Sequence, residues 1–186
     1  MLKRIILIIF LSINLIEPLF AATKEEIINN LIKTKNLTFD FKQTIDKKTE
    51  EGNCIIKYPK KIYCDYKGIK KKIIVSNGNS LVIKNRASKG YFLYPLDKTP
   101  LELILNKNLL LDKIERLETK LVNDKYYIFS LENDGNKINI FFDKSSYDLI
   151  GWQTEDIYQN LIITYIYNIK KNMNIDEKLF KLPKQH

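Results

Sequence analysis

Cys54 and Cys64 are the only thiols in the sequence, and they flank Tyr58-Pro59-Lys60. Both lie in strand-like stretches, so a hairpin centred on residue 59 sets them directly opposite each other on one face. A cross-strand disulfide is the expected chemistry, and a one-residue slip in register would put the two thiols on opposite faces. No C-x-x-C spacing supports a redox-catalytic role. The single histidine is His186, so neither a histidine general base nor a His-built metal site is expected. Asp143, Glu155 and Asp156 fit strand ends and turns better than a paired-carboxylate site. Six glycines form neither a G-x-G-x-x-G nor a Walker-type loop. The expectation is therefore a non-enzyme that needs no cofactor and no metal.

Charge invites a different reading. The 186 residues carry a formal +9, which suggests nucleic acid as a partner. The composition argues otherwise: 28 Lys, 29 Ile and 18 Asn stand against 3 Arg. That is a general compositional skew, and it is poor in the residue that bidentate phosphate and base recognition prefers. The 11 Tyr and 9 Phe suit strands as readily as a base-stacking platform. Lys70-Lys71-Lys72 reads as a solvated turn, with anionic headgroups a weaker alternative. No nucleic-acid partner is expected.

The elements that position these residues begin with an address. Met1-Leu2-Lys3-Arg4 is a short basic start, Ile5 to Ile16 an apolar run, and Glu17-Pro18 a break before Leu19-Phe20-Ala21. This is the pattern of a secretory signal peptide cleaved near Ala21. The run would span roughly 18 Å as a helix, short of the ~30 Å of bilayer hydrocarbon. Residues 1–21 are thus expected to be removed, leaving 22–186 as one exported domain. Ala22 stands where a lipoprotein would need its lipid-bearing cysteine.

Thr23-Lys24-Glu25-Glu26 fits a capping box, followed by Ile27, Ile28, Leu31 and Ile32 at helical spacing, which predicts a helix over about 23–35. From Leu37 the period changes to two, with Leu37, Phe39, Phe41 and Gln43 on one face. Further strands are expected at 53–58, 61–66, 71–76, 79–84, 125–132, 137–143, 148–158 and 160–170. Asn77-Gly78 and Asp134-Gly135-Asn136 mark turns between them. Thr99-Pro100-Leu101 offers an N-cap and a first-turn proline for a short amphipathic helix carrying Leu101, Ile104 and Leu105. The outcome is a mainly β protein: a meandering antiparallel sheet with one N-terminal helix and one short helix across it.

In order, these features resemble the periplasmic outer-membrane lipoprotein carrier family, the LolA-like carriers. Phe39-Asp40-Phe41-Lys42-Gln43-Thr44 resembles the family's early Phe-x-Gln strand. Tyr58-Pro59-Lys60-Lys61-Ile62-Tyr63-Cys64-Asp65-Tyr66 sits where the family has an Arg-Pro turn and an alternating aromatic strand. Val75-Ser76-Asn77-Gly78-Asn79-Ser80-Leu81 resembles its Gly hairpin, and Tyr94-Pro95-Leu96 with Thr99-Pro100-Leu101 the approach to its lid helix. Phe142-Asp143, Leu149-Ile150-Gly151-Trp152 and Leu179-Phe180-Lys181-Leu182-Pro183 resemble later family segments.

The resemblance implies an unclosed antiparallel β-barrel, or half-barrel, with an N-terminal helix and a short helical lid over an apolar cavity for acyl chains. It implies a monomer that takes acylated lipoprotein cargo from an inner-membrane ATP-driven lipoprotein-release complex. Delivery is to the outer membrane or its lipid-anchored acceptor, and no cofactor is involved. A lipid- or lipoprotein-binding sensor of the same fold and a membrane-associated acceptor are the alternative readings. Alternation places Phe39, Phe41, Ile56, Tyr58, Ile62, Tyr66, Ile138, Ile140, Phe142 and Trp152 on the cavity side, with Leu101, Ile104 and Leu105 on the lid. Ile62→Glu is expected to abolish transfer and leave a folded protein. Three departures stand out. The family's Arg before the turn proline, which helps hold the lid shut, corresponds to Tyr58, an uncharged phenol that can still hydrogen-bond. Two inward aromatics of the family correspond to Ile62 and Cys64.

Overall fold

Alternation of apolar and polar side chains carries most of the chain into one sheet. The computed structural model describes residues 17–68, 72–85, 90–133, 135–155 and 159–183, with backbone alone for 17–22. The strands are β1 (Asn36–Ile45), β2 (Lys48–Lys57), β3 (Lys61–Tyr66), β4 (Lys72–Asn77), β5 (Ser80–Asn85), β6 (Tyr91–Pro95), β7 (Lys120–Val122), β8 (Tyr126–Asn133), β9 (Asn136–Asp143), β10 (Leu149–Glu155) and β11 (Leu161–Lys171). The helices are α1 (Glu17–Lys33), α2 (Glu102–Leu105) and α3 (Lys107–Arg116), with 3-10 turns at Leu96–Lys98 and Glu177–Phe180.

The spatial order is β6-β5-β4-β3-β2-β1-β11-β10-β9-β8-β7. Chain neighbours pair throughout, antiparallel, except that β11 returns to lie beside β1 and β6 does not pair with β7. The sheet is therefore an unclosed half-barrel whose two edges are those strands. Register shifts in β1 between Thr38 and Asp40, and in β10 between Leu149 and Gly151, mark bulges that bend the sheet. Asn77 Oδ1 accepts from the Asn79 and Ser80 N–H groups, and Gly78 takes φ +108°, which closes the β4–β5 hairpin.

Parity sorts the residues in most strands, although β4, β5 and β9 also bury Val75, Val82 and Phe141 on the other face. In β3, Ile62, Cys64 and Tyr66 are buried on the concave face while Lys61, Tyr63 and Asp65 point outward. Cys54 is paired with Cys64 in register, Cα–Cα 4.1 Å, and the two are joined by a disulfide. The bond lies inside the concave apolar core. The helices cover that face: Ile27 and Leu31 of α1, Leu103, Ile104 and Leu105 of α2, and Leu110 and Ile114 of α3 are all buried in the same cluster.

Several expectations need correction. The first helix begins at Glu17 and ends at Lys33, so Thr23 is a buried position inside it and no cap. Phe20-Ala21-Ala22 can continue a helix upstream, and Pro18 is tolerated in a first turn where its missing N–H has no partner to lose. Residues 1–16 of the expected signal segment lie outside the described residues. The Thr99 side chain does not cap the helix that follows, although the Thr99 carbonyl accepts from the Glu102 N–H. Its hydroxyl donates back to the Leu96 carbonyl, closing the 3-10 turn, and α2 starts only at Glu102. The lid is also longer than expected, because α3 follows at once behind an Asn106 N-cap whose Oδ1 accepts from the Leu109 N–H. The strands β6 and β7 were not anticipated. The strand expected over 148–158 is described only to Glu155, and Lys70, Lys71, Asp134, Asp156 and His186 lie outside the described residues.

Candidate functional site

The concave face is built in rows that run across strands. One row pairs Phe39 with Cys54, Cys54 with Cys64, Cys64 with Ile74, Ile74 with Ile83 and Ile83 with Phe92. A parallel row runs from Leu37 through Ile56, Ile62, Ser76 and Leu81 to Tyr94. On the other wing, Phe129 faces Ile140, Ile140 faces Trp152, and Ile138 and Phe142 flank them on β9. Edge-on ring contacts tie the floor together: Phe39 to Trp152 at 6.3 Å, Phe41 to Tyr66 at 4.7 Å, and Phe129 to Phe142 at 5.8 Å. The Phe41 ring lies over Gly52, where a Cβ would meet it at 2.7 Å.

The structure brings all thirteen expected residues to this face or its roof. Phe39, Phe41, Ile56, Ile62, Tyr66, Ile104, Leu105, Ile138, Ile140, Phe142 and Trp152 are buried in one cluster, with Tyr58 and Leu101 packed on its margin. Sequence reasoning missed the α3 contribution, although Leu110 and Ile114 at i, i+4 behind Asn106 carry a readable helical signal. It also missed Phe129 and Leu131 of β8, which are inward by strict alternation.

Among the described residues, these side chains are packed in one buried cluster beneath the roof. They and those of α1, α2 and α3 interlock between sheet and roof. Among the described residues, clefts lie elsewhere, of about 250 Å³ around Ser130, Asn139 and Gln153 and about 490 Å³ at the β1 bulge near Asp40, Asn53 and Asn168. Both are lined mainly by outward, polar positions.

The roof is fastened by few polar bonds, mostly from lysines. The Lys60 N–H donates to the Leu105 carbonyl at 2.8 Å, and Lys60 Nζ lies 2.8 Å from Glu102 Oε1. The Glu102 carboxylate, only 6% exposed, also accepts from Asn106 Nδ2 at 2.8 Å, while its Oε2 has no hydrogen-bond partner. Lys107 Nζ donates to the Ile32 and Thr34 carbonyls at the end of α1 and stands 5.5 Å from the Tyr58 ring centroid. Partial desolvation pushes the Lys107 ammonium below its ordinary range. Tyr58 offers no hydroxyl bond: its Oη is buried without a partner, and burial raises its pKa.

Among the described residues no three His, Cys, Asp or Glu side chains could together hold a metal ion. Asp143 ends β9, and its carboxylate accepts from the Ser146 and Ser145 N–H groups of the following turn, which lowers its pKa. Among the described residues no helix is long and apolar enough to cross a membrane.

The outer membrane lipoprotein carrier protein LolA family model matches residues 32–183. No curated protein matches the sequence significantly. The fold is similar to that of an uncharacterized conserved protein from Thermus thermophilus, with TM-score 0.52 and 9% identity over 88% of this chain and 94% of that one. It is also similar to a LolA superfamily protein from Nitrosomonas europaea, with TM-score 0.50 and 7% identity over 88% of this chain and 97% of that one. At such identities the likeness is one of fold.

Proposed function

We propose that this chain, which belongs to the LolA family of outer membrane lipoprotein carriers, shields the acyl chains of lipoproteins and shuttles them through the periplasm from the inner to the outer membrane. The observation that carries the reading is the apolar core shared between an open half-barrel and a roof fastened by a handful of polar bonds.

The energetics support an exchange. Lifting α2 and α3 would expose Leu103, Ile104, Leu105, Leu110 and Ile114, at about 1.5–3 kcal/mol each. That is on the order of 10 kcal/mol, so an empty carrier stays shut. Exposing one acyl chain of about 16 carbons to water costs on the order of 12 kcal/mol. The two magnitudes are similar, so an acyl chain can replace the roof side chains against the sheet with little net change. Near-balance is what a carrier needs, because one that bound every methylene more tightly than its acceptor would not let go.

On this reading the chain is exported after cleavage near Ala21. It is loaded by an ATP-driven release complex and unloads to the outer membrane or a lipid-anchored acceptor there. Phe39, Phe41, Ile56, Ile62, Tyr66, Ile138, Ile140, Phe142 and Trp152 would line the opened site, with Tyr58 at its rim and Leu101, Ile104 and Leu105 on the lid. The structure alters one expectation. Ile62 is fully enclosed, so a glutamate there would be an unpaired buried charge and the fold itself would suffer. A better test is native mass spectrometry of protein purified from an exporting cell, alongside lipopeptide transfer between vesicles. Co-purifying acylated polypeptide and accelerated transfer are expected. Protein that carries neither lipid nor lipopeptide and leaves transfer at its spontaneous rate would sink the reading.

A further inference from the structure

The concave apolar face does not stop where the helices end. Along the row from Phe39 the disulfide is buried, Ile74 and Ile83 are half-buried, and Phe92 on the edge strand β6 is 68% exposed. The parallel row ends in the same way at Tyr94, which is 42% exposed. Burial falls stepwise along the first row, and in the second it holds through Leu81 and is lost only at the edge residue Tyr94. Ser76 is the single polar residue in the two rows, and it is satisfied internally, donating to the Lys60 carbonyl and accepting from the Gly78 N–H. The flank toward Tyr66 is polar: Lys72 pairs with Glu50 and lies 3.8 Å from the Tyr66 ring centroid.

We propose that these two rows form the loading track for one acyl chain, running from Phe92 and Tyr94 at the β6 edge over the Cys54–Cys64 disulfide toward Phe39. The proposal rests on the carrier reading and names the route into its site. Strand spacing of ~4.8 Å makes the five steps from Phe92 on β6 to Phe39 on β1 about 24 Å long, room enough for the ~15 Å that one leaflet of bilayer hydrocarbon allots to an acyl chain. The strip is uncharged and continuous with the core, so a chain lying on it can advance as α2 lifts without passing a polar barrier. A protein strand laid along β6 would find backbone groups there, yet no charged side chain in the two rows to read. The disulfide gives the middle of the track a fixed, apolar floor.

The test uses the full chain with a synthetic diacylglyceryl-cysteine lipopeptide. A benzophenone amino acid replaces Phe92, Ile83 or, as an outward-facing control, the exposed Tyr165. Cross-links from 92 and 83 to the acyl portion are expected, with none from 165. Phe92→Ser with Tyr94→Ser should slow lipopeptide association about tenfold, equivalent to ~1.4 kcal/mol of lost contact, with an unchanged melting temperature. Bound lipopeptide without cross-links from 92 and 83, or with equal cross-linking from 165, overturns the track and leaves the carrier reading intact. Failure of the unmodified protein to bind the lipopeptide at all overturns both. A concentration-dependent dimer that the double serine variant abolishes would assign the edge to a second copy and overturn the track.

Discussion

Lys60→Met removes the ammonium that reaches Glu102 and keeps both the aliphatic stem and the backbone N–H that donates to Leu105. In the closed protein the buried Glu102 carboxylate is then left with Asn106 Nδ2 as its remaining hydrogen-bond partner. A hydrogen bond to a charged group is worth about 1.5–3 kcal/mol. The Lys60 side chain is 37% exposed, so water screens part of that and about 1–2 kcal/mol is the working figure. With the roof lifted, Glu102 would meet water, and the substitution would cost nothing there. The penalty therefore falls on the closed state alone and multiplies the open population by roughly 5–30. Hydrogen exchange reads it directly. The Leu105 and Asn106 amides, which donate to the Leu101 and Glu102 carbonyls, should exchange faster by that factor, while amides in β1, β2 and β3 hold their rates. Adding Glu102→Leu should restore protection, because the stranded charge is gone. Unchanged α2 exchange, equal acceleration in the sheet, or a double variant looser than Lys60→Met would refute the assignment of Lys60–Glu102 as the fastener.

Replacing both cysteines by alanine removes a cross-link closing a loop of about 11 residues, worth about 3 kcal/mol by chain entropy, and should lower the urea midpoint, with the slope equal or slightly larger because the unfolded chain is freer. An unchanged midpoint would show that the bond does not constrain the unfolded chain. Gly52→Ala builds a Cβ 2.3 Å from the Asp65 carbonyl and 2.7 Å from the Phe41 ring. It should cost about 1–3 kcal/mol and disturb the Phe41–Tyr66 contact, visible as a shifted Tyr66 ring resonance. Glu177 is bonded by Lys57 and Lys61, which lower its pKa from 4.5 to about 2. A depressed carboxyl stabilises above its unfolded pKa and loses that support as pH falls. The Glu177–Phe180 turn should therefore loosen between about pH 4.5 and 2, seen as lower protection factors at Leu179 and Lys181 after correction for intrinsic exchange, and Glu177→Gln should abolish that pH dependence.

Several of these features were legible before any coordinates. Period-two alternation in Leu37, Phe39 and Phe41 and in Ile62, Cys64 and Tyr66 assigns inward faces without knowledge of the partners, because successive side chains of a strand must point to opposite sides. The disulfide followed from arithmetic about one turn. The missed elements have a common physical origin. Tyr91-Phe92-Leu93-Tyr94-Pro95 shows no alternation because an edge strand with much of both faces exposed has no single core to sort its residues. The β7 strand is three residues long, below what periodicity can resolve. Thr23 carries a cap signature that the structure does not use, because residues upstream continue the helix and supply the carbonyls a cap would replace.

By itself, the sequence determined the strand rhythm, the inward faces and the covalent staple, since each depends on local period or on residue type. Tertiary structure alone decided that β11 returns beside β1 and that the edges stay apart. It also decided that α2 and α3 fill the concave face and that Lys60 and Lys107 fasten the roof while the Tyr58 hydroxyl goes unpartnered. Those outcomes depend on which distant segments meet. Lys60 and Glu102 are 42 positions apart and become partners only because the β2–β3 turn and the lid reach the same end of the sheet. Local pattern carries no information about such meetings, because the free energy that selects them resides in burial shared between segments far apart in the chain.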